Sequence, residues 1–579
     1  MMKSHAWRGT RVFIFAVAIA FVCALNTYAA SYYVDTDSLG GPCSDSNPGT
    51  LTQPWRTVSR ANSQLQPGDT VYIREGVYDE MIRPANSGNA SDGYICYTNY
   101  NGEQVAIDRR EYVVGERVEA AVDLSGKEYI IIDGLTLANT DRFIRVRSTG
   151  YRYCIVKNCV MRYADSGIHL TYGSQYNKIL DNYIELQTAA EMAAGVENDG
   201  IWIAGQEASK PTSHNLIEGN EISMCGHKNL EIRYHAPYNI VRYNVFRSTG
   251  DGFFNNTDGI SDHMVIEGNI LIAQVLTPDK FGSGISRNGS SHAIIRKNVI
   301  YWTEGPFAHG IGFNQPYGRE PLTAGKHTRV YSNTIASNGH WYGIRVQYAR
   351  EDLGLMFEDY VVKNNIIQKC KEYAIYQNGY GTKPYDVVFS NNLTRGTSDG
   401  QKTIYVQGYS DKTLSEAESS WPVYFNNNIE GDPLFVDEDG SDFRLQAGSP
   451  CIDAGAYLTK TRSAGSGTQI EVEDAYYFFD GFGIVDGDQI QLEAQAQSAR
   501  IVNVDYDAKI LTVDTALTWN AGQGVSLPYE SSAPDIGAYE YTSAVATYTL
   551  STSATDGSVS KTPDKTAYSS GETVTLLAT

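Results

Sequence analysis

Asp199, Lys228, Glu231, Arg233 and Asp251 bring three carboxylates and two cations into one stretch of the chain. Such a mixture supports two kinds of sugar chemistry. In β-elimination on a uronate, a cation neutralises the sugar carboxylate and acidifies the adjacent C–H, and a base removes the proton. On that reading Asp199, Glu231 and Asp251 hold Ca²⁺, and Lys228 or Arg233 is the base. In hydrolysis two of the same carboxylates, Glu231 among them, act as general acid and as base or nucleophile, and their separation sets the stereochemistry. His169, Trp202, Phe254, Asn256, Asn288, Arg345 and Tyr376 add the aromatic surface and polar groups that a sugar polymer needs. A solvated charge ladder, with aromatics covering apolar strand surface, is the bland alternative.

These residues meet only if a repeat brings them to one face. An Asn, any residue, then Ile, Val, Phe or Leu returns at Asn158, Asn182, Asn220, Asn244, Asn269, Asn298, Asn333 and Asn365. The intervals mostly fall in the range of about 20–50 residues that marks stacked repeats. Before most of these phrases stands a short alternating strand opened by Gly, as in Gly167-Ile168-His169-Leu170, Gly200-Ile201-Trp202-Ile203 and Gly343-Ile344-Arg345-Val346. Three short strands per repeat make a coil. Stacking coils buries Ile, Leu, Val and Phe and lets each turn Asn bond to the next. Counting outward from the first strand places Asp199, Lys228 and Asp251 in one column, His169, Trp202, Glu231, Phe254, Arg345 and Tyr376 in a second, and Arg233, Asn256 and Asn288 in a third. Insertions at 187–199 and 272–282 would wall a groove there.

With these Asn phrases, the opening Trp55 to Tyr78 segment and the closing Gly448-Ser449-Pro450-Cys451-Ile452-Asp453-Ala454-Gly455, the chain resembles the right-handed parallel β-helix proteins of the pectate-lyase-like superfamily. The resemblance implies an all-β solenoid over residues 30–455. Trp55, Val58, Ala61 and Leu65 lie at helical spacing behind Pro54 and predict a short helix capping its open end. Residues 456–533 read as a small all-β insertion. Residues 534–544 read as the closing segment and linker, and 545–579 resemble the start of a bacterial extracellular β-repeat module. Asn256-Thr257-Asp258 looks like a polygalacturonase signature, but the paired Asp and the Gly-His-Gly that should follow are missing. Gly76-Val77-Tyr78-Asp79-Glu80 is similar to a phrase in chondroitinase-B-like and alginate lyases, whose later Arg-His-Gly segment has no counterpart. His227, His235 and His263 fall at different turn positions, which argues against a histidine metal cluster.

The N-terminus has Lys3, Arg8 and Arg11 before an apolar run Val12 to Leu25 and small residues near Ala29, the order of a secretory leader. It reads as removed after Ala29, with an uncleaved anchor as the alternative. The destination is then extracellular or periplasmic, and the trailing module suggests association with a cell surface. No later apolar run is long enough for a membrane span. A net charge of −21 disfavours nucleic acid and anionic membranes as partners. Seven of the eight Cys remain after leader removal, too few and too scattered for a disulfide framework in a chain of 579 residues. The expected partner is a polysaccharide. The expected activity is that of a lyase, with a glycoside hydrolase or a non-catalytic carbohydrate-binding scaffold as alternatives.

Overall fold

The computed structural model describes residues 29–109, 120–146, 148–249, 252–257, 261–275, 282–289, 291–304, 307–314, 325–336, 340–347, 357–378, 386–396, 403–542, 547–552, 558–569 and 573–578. The N-terminal leader expected from the sequence lies outside these residues. The described chain is a right-handed parallel β-helix.

One coil shows how the pattern works. Its strands are Ile201–Gly205, Leu216–Glu218 and Glu221–Ser223, and each lies parallel to its counterpart in the next coil, pairing Ile201 with Leu230, Leu216 with Ile240 and Glu221 with Val245. The second strands of all coils form a 14-stranded sheet running from Ser31–Val34 to Phe425–Asn426. Alternation along the first strand decides which side chains enter the coil. Ile201, Ile203, Leu230, Ile232, Ile311, Ile344 and Val346 are fully buried, each worth about 1.5–3 kcal/mol. The residues between them point outward. Glycine opens these strands because the backbones pass too closely for a side chain there. A Cβ on Gly167 or Gly284 would run into the carbonyl oxygen of Gly200 or Gly310 in the next coil.

The turn asparagines form one continuous internal ladder from Asn182 through Asn220, Asn244, Asn269, Asn298, Asn333, Asn365 and Asn392 to Asn428. Each Nδ2 donates to the next Oδ1 at 2.9–3.0 Å. Asn158 is not part of it. Cys159 holds that place and donates its backbone N–H to Asn182 Oδ1, while Asn158 turns outward to Asp133. Asn269 is fully buried, accepts from the backbone and side chain of Asn244, and donates to Val241 O and Asn298 Oδ1. Replacing it with Ala orphans several of these groups at about 1–3 kcal/mol each, so Asn269→Ala is expected to destabilise the solenoid by at least about 3 kcal/mol in urea unfolding.

Both ends of the coil stack are covered. The first cap is the helix Val58–Gln64, which buries Val58 and Ala61 beside Trp55 and Leu65. Thr57 is its N-cap and accepts from Arg60 N–H, so the helix starts beyond the Pro54 position suggested by sequence. At the far end the helix Leu414–Ser420 buries Leu414 and Ala417 in the same core as Phe425. None of the seven described Cys forms a disulfide, and Cys154, Cys159, Cys225, Cys370 and Cys451 are buried.

Residues Thr459 to Ser526 build a six-stranded antiparallel sheet that docks on the outer surface of the 14-stranded sheet. Leu216, Ile240, Val265 and Ile294 of the solenoid share an apolar core with Ile490, Ile501, Leu511 and Val525. Charge is buried there too. Arg296 reaches Glu267 at 2.9 Å and clasps Asp488 through two bonds of 2.9 and 2.6 Å. Arg329 joins Asp359 to Asp474 in the same way. After this domain the chain returns to the solenoid, where Gly537 donates to Asn364 O and Ala538 to Thr334 Oγ1.

Along one turn of the solenoid, aromatic rings stack through Tyr129, Tyr153, Tyr176, His214, Tyr238, His263, His292 and His327, ending on Tyr476 of the docked domain. Burial holds His263 and His292 down at about 4. Their folded state therefore resists protonation, and the stability this contributes is complete above the ordinary histidine value of about 6.5 and lost as pH falls toward 4. Glu540, raised to about 7 by burial and Asp535, works in the opposite direction. His292→Tyr keeps a ring in the stack and removes one titration. Its loss of melting temperature between pH 7.5 and 4.5 is expected to be smaller than that of the unaltered protein; an equal loss would contradict the assignment.

Candidate functional site

The first strands put one column in backbone register: His169, Trp202, Glu231, Asn255, Ser286, Gly312, Arg345, Tyr376 and Tyr405. Two sequence assignments shift by one residue. Phe254 pairs with Leu230, and Asn255 takes the backbone place beside Glu231; Asn256 pairs with Ile232. Phe253 and Phe254 are adjacent and equally apolar, so alternation alone could not decide which one turns inward. For the same reason Lys228 pairs with Gly252 rather than Asp251. Asp251 lies outside the described residues, as do the side chains of Phe254, Asn256 and Asn288.

Asp199, His227 and Glu231 converge, with one potential ligand atom from each lying within 4.8 Å of the others. The elements behind them explain why. Asp199 ends the 187–199 insertion, which carries the helix Ala189–Ala193 with Thr188 and Glu191 as a capping box. The preceding Asn198 accepts from Gly226 N–H through its side chain and from His227 N–H through its carbonyl, fixing the insertion to the next coil. Asp199 Oδ1 then lies 2.8 Å from His227 Nδ1 and accepts from Lys228 N–H at 3.2 Å. Glu231 and Arg233 are two apart on one strand and share its outward face. Arg233 Nη2 approaches Glu231 Oε1 to 2.8 Å. This charged contact is almost entirely buried on the Glu231 side. Glu231 is 1% exposed and Lys228 4%.

The neighbouring wall is aromatic. His169 meets Trp202 edge-on at 5.0 Å and shares a 2.7 Å bond with Ser166 Oγ. Burial, with Arg142 nearby, pushes His169 down to about 3 against the pull of Asp199, so this ring is neutral. Trp202 is half-buried, and its indole N–H has no hydrogen-bond partner.

Burial shifts the protons of the central groups. Desolvation raises Glu231 above the usual carboxyl range, with Asp199 adding to the rise and Arg233 opposing it. For His227 burial alone would lower the pKa, but the bond to Asp199 and its charge outweigh it and leave the imidazole above its ordinary value. Burial works against the charge of Arg233, yet Glu231 holds its proton more firmly than usual. Arg233 is therefore a fixed cation, which removes it from the role of base.

Of the three carboxylates expected to hold Ca²⁺, Asp199 and Glu231 converge together with His227, and Asp251 lies outside the described residues. Ca²⁺ takes six to eight oxygens at about 2.3–2.6 Å. Here two carboxylates are joined by an imidazole nitrogen, and an arginine, a lysine N–H and that imidazole already approach their oxygens. Asp199, Lys228, Glu231, Arg233, His169 and Trp202 come together as the sequence suggested, whereas Arg345 and Tyr376 stand several coils away on the same column. His227 was overlooked. Its signal was its position in Gly226-His227-Lys228, directly before the strand that carries Glu231.

Residues 32–230 match a family described as the Pel9A-like, right handed beta helix region. Among curated proteins, the chain is 37% identical over 95 residues to the uncharacterized protein YwoF of Bacillus subtilis (strain 168), a match covering 16% of this chain and 20% of that one. It is 34% identical over 105 residues to the pectate lyase PEL9 of Emericella nidulans, covering 18% and 23%. The matched stretch thus spans about a fifth of either relative's length. Of solved structures, pectate lyase Pel9A superposes with a TM-score of 0.38 at 14% identity, over 89% of this chain and 97% of that one.

Proposed function

We propose, from the premise that this right-handed parallel β-helix protein carries a Pel9A-like region over residues 32–230, that it is a secreted lyase cleaving an acidic, uronate-containing polysaccharide at the Asp199–His227–Glu231 cluster. The observation that carries this reading is a buried carboxyl and a carboxylate-backed imidazole whose nearest atoms lie within 4.8 Å, with the Arg233 guanidinium 2.8 Å from that carboxyl. A relative named as a pectate lyase supports the same class of reaction. Among the described residues no helix is long and apolar enough to cross a membrane.

The residues divide the work as follows. Arg233 and Lys228 face the uronate carboxylate and neutralise it, which acidifies the adjacent C–H. His227, oriented by Asp199, takes that proton through its other ring nitrogen. The C–H electron pair becomes a C=C bond as the glycosidic C–O bond one carbon along breaks. Glu231, whose hold on its proton burial strengthens, donates to the leaving oxygen. The pair must hold one proton between its members, so kcat/KM follows a bell-shaped pH profile whose limbs belong to both. His227→Gln is expected to remove one limb, and an unchanged profile would exclude His227. Because Arg233 and Lys228 supply the positive charge, chelation is expected to leave the rate within about twofold; its abolition by chelator and recovery with Ca²⁺ would overturn this division.

One observation favours a second reading. One oxygen of Asp199 and one of Glu231 lie within 4.8 Å, which favours the short carboxyl spacing of retaining glycosidases, roughly 5–5.5 Å, over the roughly 6.5–9.5 Å of inverting ones. A hydrolase at this site would therefore retain configuration. Products separate the two, because only elimination leaves an unsaturated sugar end.

A further inference from the structure

Further along the outward column the side chains change character. Arg345, Tyr376 and Tyr405 follow one another in register while Ile344, Val346, Ile375, Ile404 and Val406 fill the coil behind them. Tyr342 and Tyr373, also paired across coils, flank the column. The rings form a ladder: Tyr342 to Tyr376 is 4.1 Å, Tyr376 to Tyr405 is 4.8 Å and Tyr373 to Tyr405 is 5.4 Å between centroids. All four rings are half-buried, and the Arg345 guanidinium lies 6.0 Å from the Tyr342 ring centre. Glu372 and Asp411 hold the hydroxyls of Tyr342 and Tyr373, which fixes the ladder's geometry.

Five register steps separate Tyr376 from Glu231, or about 24 Å at ~4.8 Å per coil. Between them Ser286, His309 and Gly312 are buried, so the half-buried tyrosines form a separate patch rather than the wall of the reactive cluster. A row of phenol edges repeating at the coil rise presents alternating apolar and hydroxyl surface at about the length of one sugar unit in an extended chain. Stacked rings already have fixed rotamers, so little side-chain entropy is lost on binding. Arg345 supplies the charge that selects a carboxylate-bearing sugar.

We infer that Tyr342, Tyr376 and Tyr405 with Arg345 form a second, distal binding site for a uronate polymer, aligned on the same outward column as the reactive cluster. The inference rests on the proposed activity for its choice of ligand, not for its geometry. A long chain engages both sites, whereas a short oligomer reaches only the cluster.

The test pairs affinity electrophoresis in gels containing pectate or alginate with turnover of polymer and of short oligomers. Tyr376→Ala/Tyr405→Ala and Arg345→Gln are compared with the unaltered protein, and each must keep its melting temperature. Retardation is expected to fall in both, and KM on polymer to rise about tenfold or more with kcat and oligomer turnover unchanged. Tyr376→Phe, which keeps the ring, is expected to retain most of the binding. Retardation and polymer KM unchanged in these variants would overturn the distal site, as would an unaltered protein that neither polymer retards. Retardation that falls in the variants without any product would uphold the distal site and sink the lyase reading.

Discussion

Glu231→Gln is expected to lower kcat/KM on an acidic polysaccharide about 10²–10⁴-fold, the usual contribution of a positioned general acid. The substitution keeps the shape of the side chain and its place beside Arg233. It removes the carboxyl whose hold on its proton burial strengthens. Because a neutral amide replaces a carboxyl whose charge is already costly to bury, the fold should not weaken, and the melting temperature should stay within a few degrees. A variant that keeps its activity would remove Glu231 from the mechanism. One that loses activity together with its thermal transition would show only that Glu231 holds the coil.

The largest expected effect on stability belongs to Arg296, far from the cluster. It is 98% buried and its guanidinium touches Glu267 of the solenoid and Asp488 of the docked domain. Arg296→Met leaves two carboxylates buried without their cation, at a cost of about 3–5 kcal/mol. The apolar contacts around Leu216, Ile240 and Ile490 remain. The first observable consequence is therefore release of the domain built by Thr459 to Ser526, read as protease cleavage near residue 456 before the solenoid unfolds. Adding Glu267→Gln and Asp488→Asn removes the stranded charges and should restore much of the loss. If Arg296→Met alone leaves cleavage and urea unfolding unchanged, the network does not hold the domain.

The solenoid could be read from sequence because its cause is local and repeated. Alternating Ile and Val around Gly, followed by a turn Asn, is the same instruction given coil after coil, and the Asn182 to Asn428 ladder is its direct expression. The rule failed where two instructions looked alike. Asn158-Cys159 offered an Asn one place too early, and Phe253-Phe254 offered two candidates for one core position. The second ambiguity moved the column by a residue. It misplaced Phe254 and Asn256, yet it left Asp199, Lys228, Glu231 and Arg233 together, because those stand in coils whose register Gly200 and Leu230 define.

His227 was passed over for a different reason. Its place in the cluster depends on Asn198 clamping an insertion to the following coil, a contact across a gap that periodicity does not encode. The docking of the 456–533 domain was equally hidden, since Arg296–Asp488 spans most of two hundred residues. Carboxylates counted in sequence look available, whereas in space Glu231 is met by Arg233 and Asp199 by His227.

The central claim is elimination at a cluster that supplies its own positive charge. It is tested most directly by following unsaturated uronate ends released from pectate, alginate and glycosaminoglycans in the presence of chelator. The account predicts that such ends accumulate on at least one of these polymers, at a rate the chelator does not change and that Glu231→Gln suppresses. Reducing ends without unsaturated ends, or no product on any of them, would contradict it.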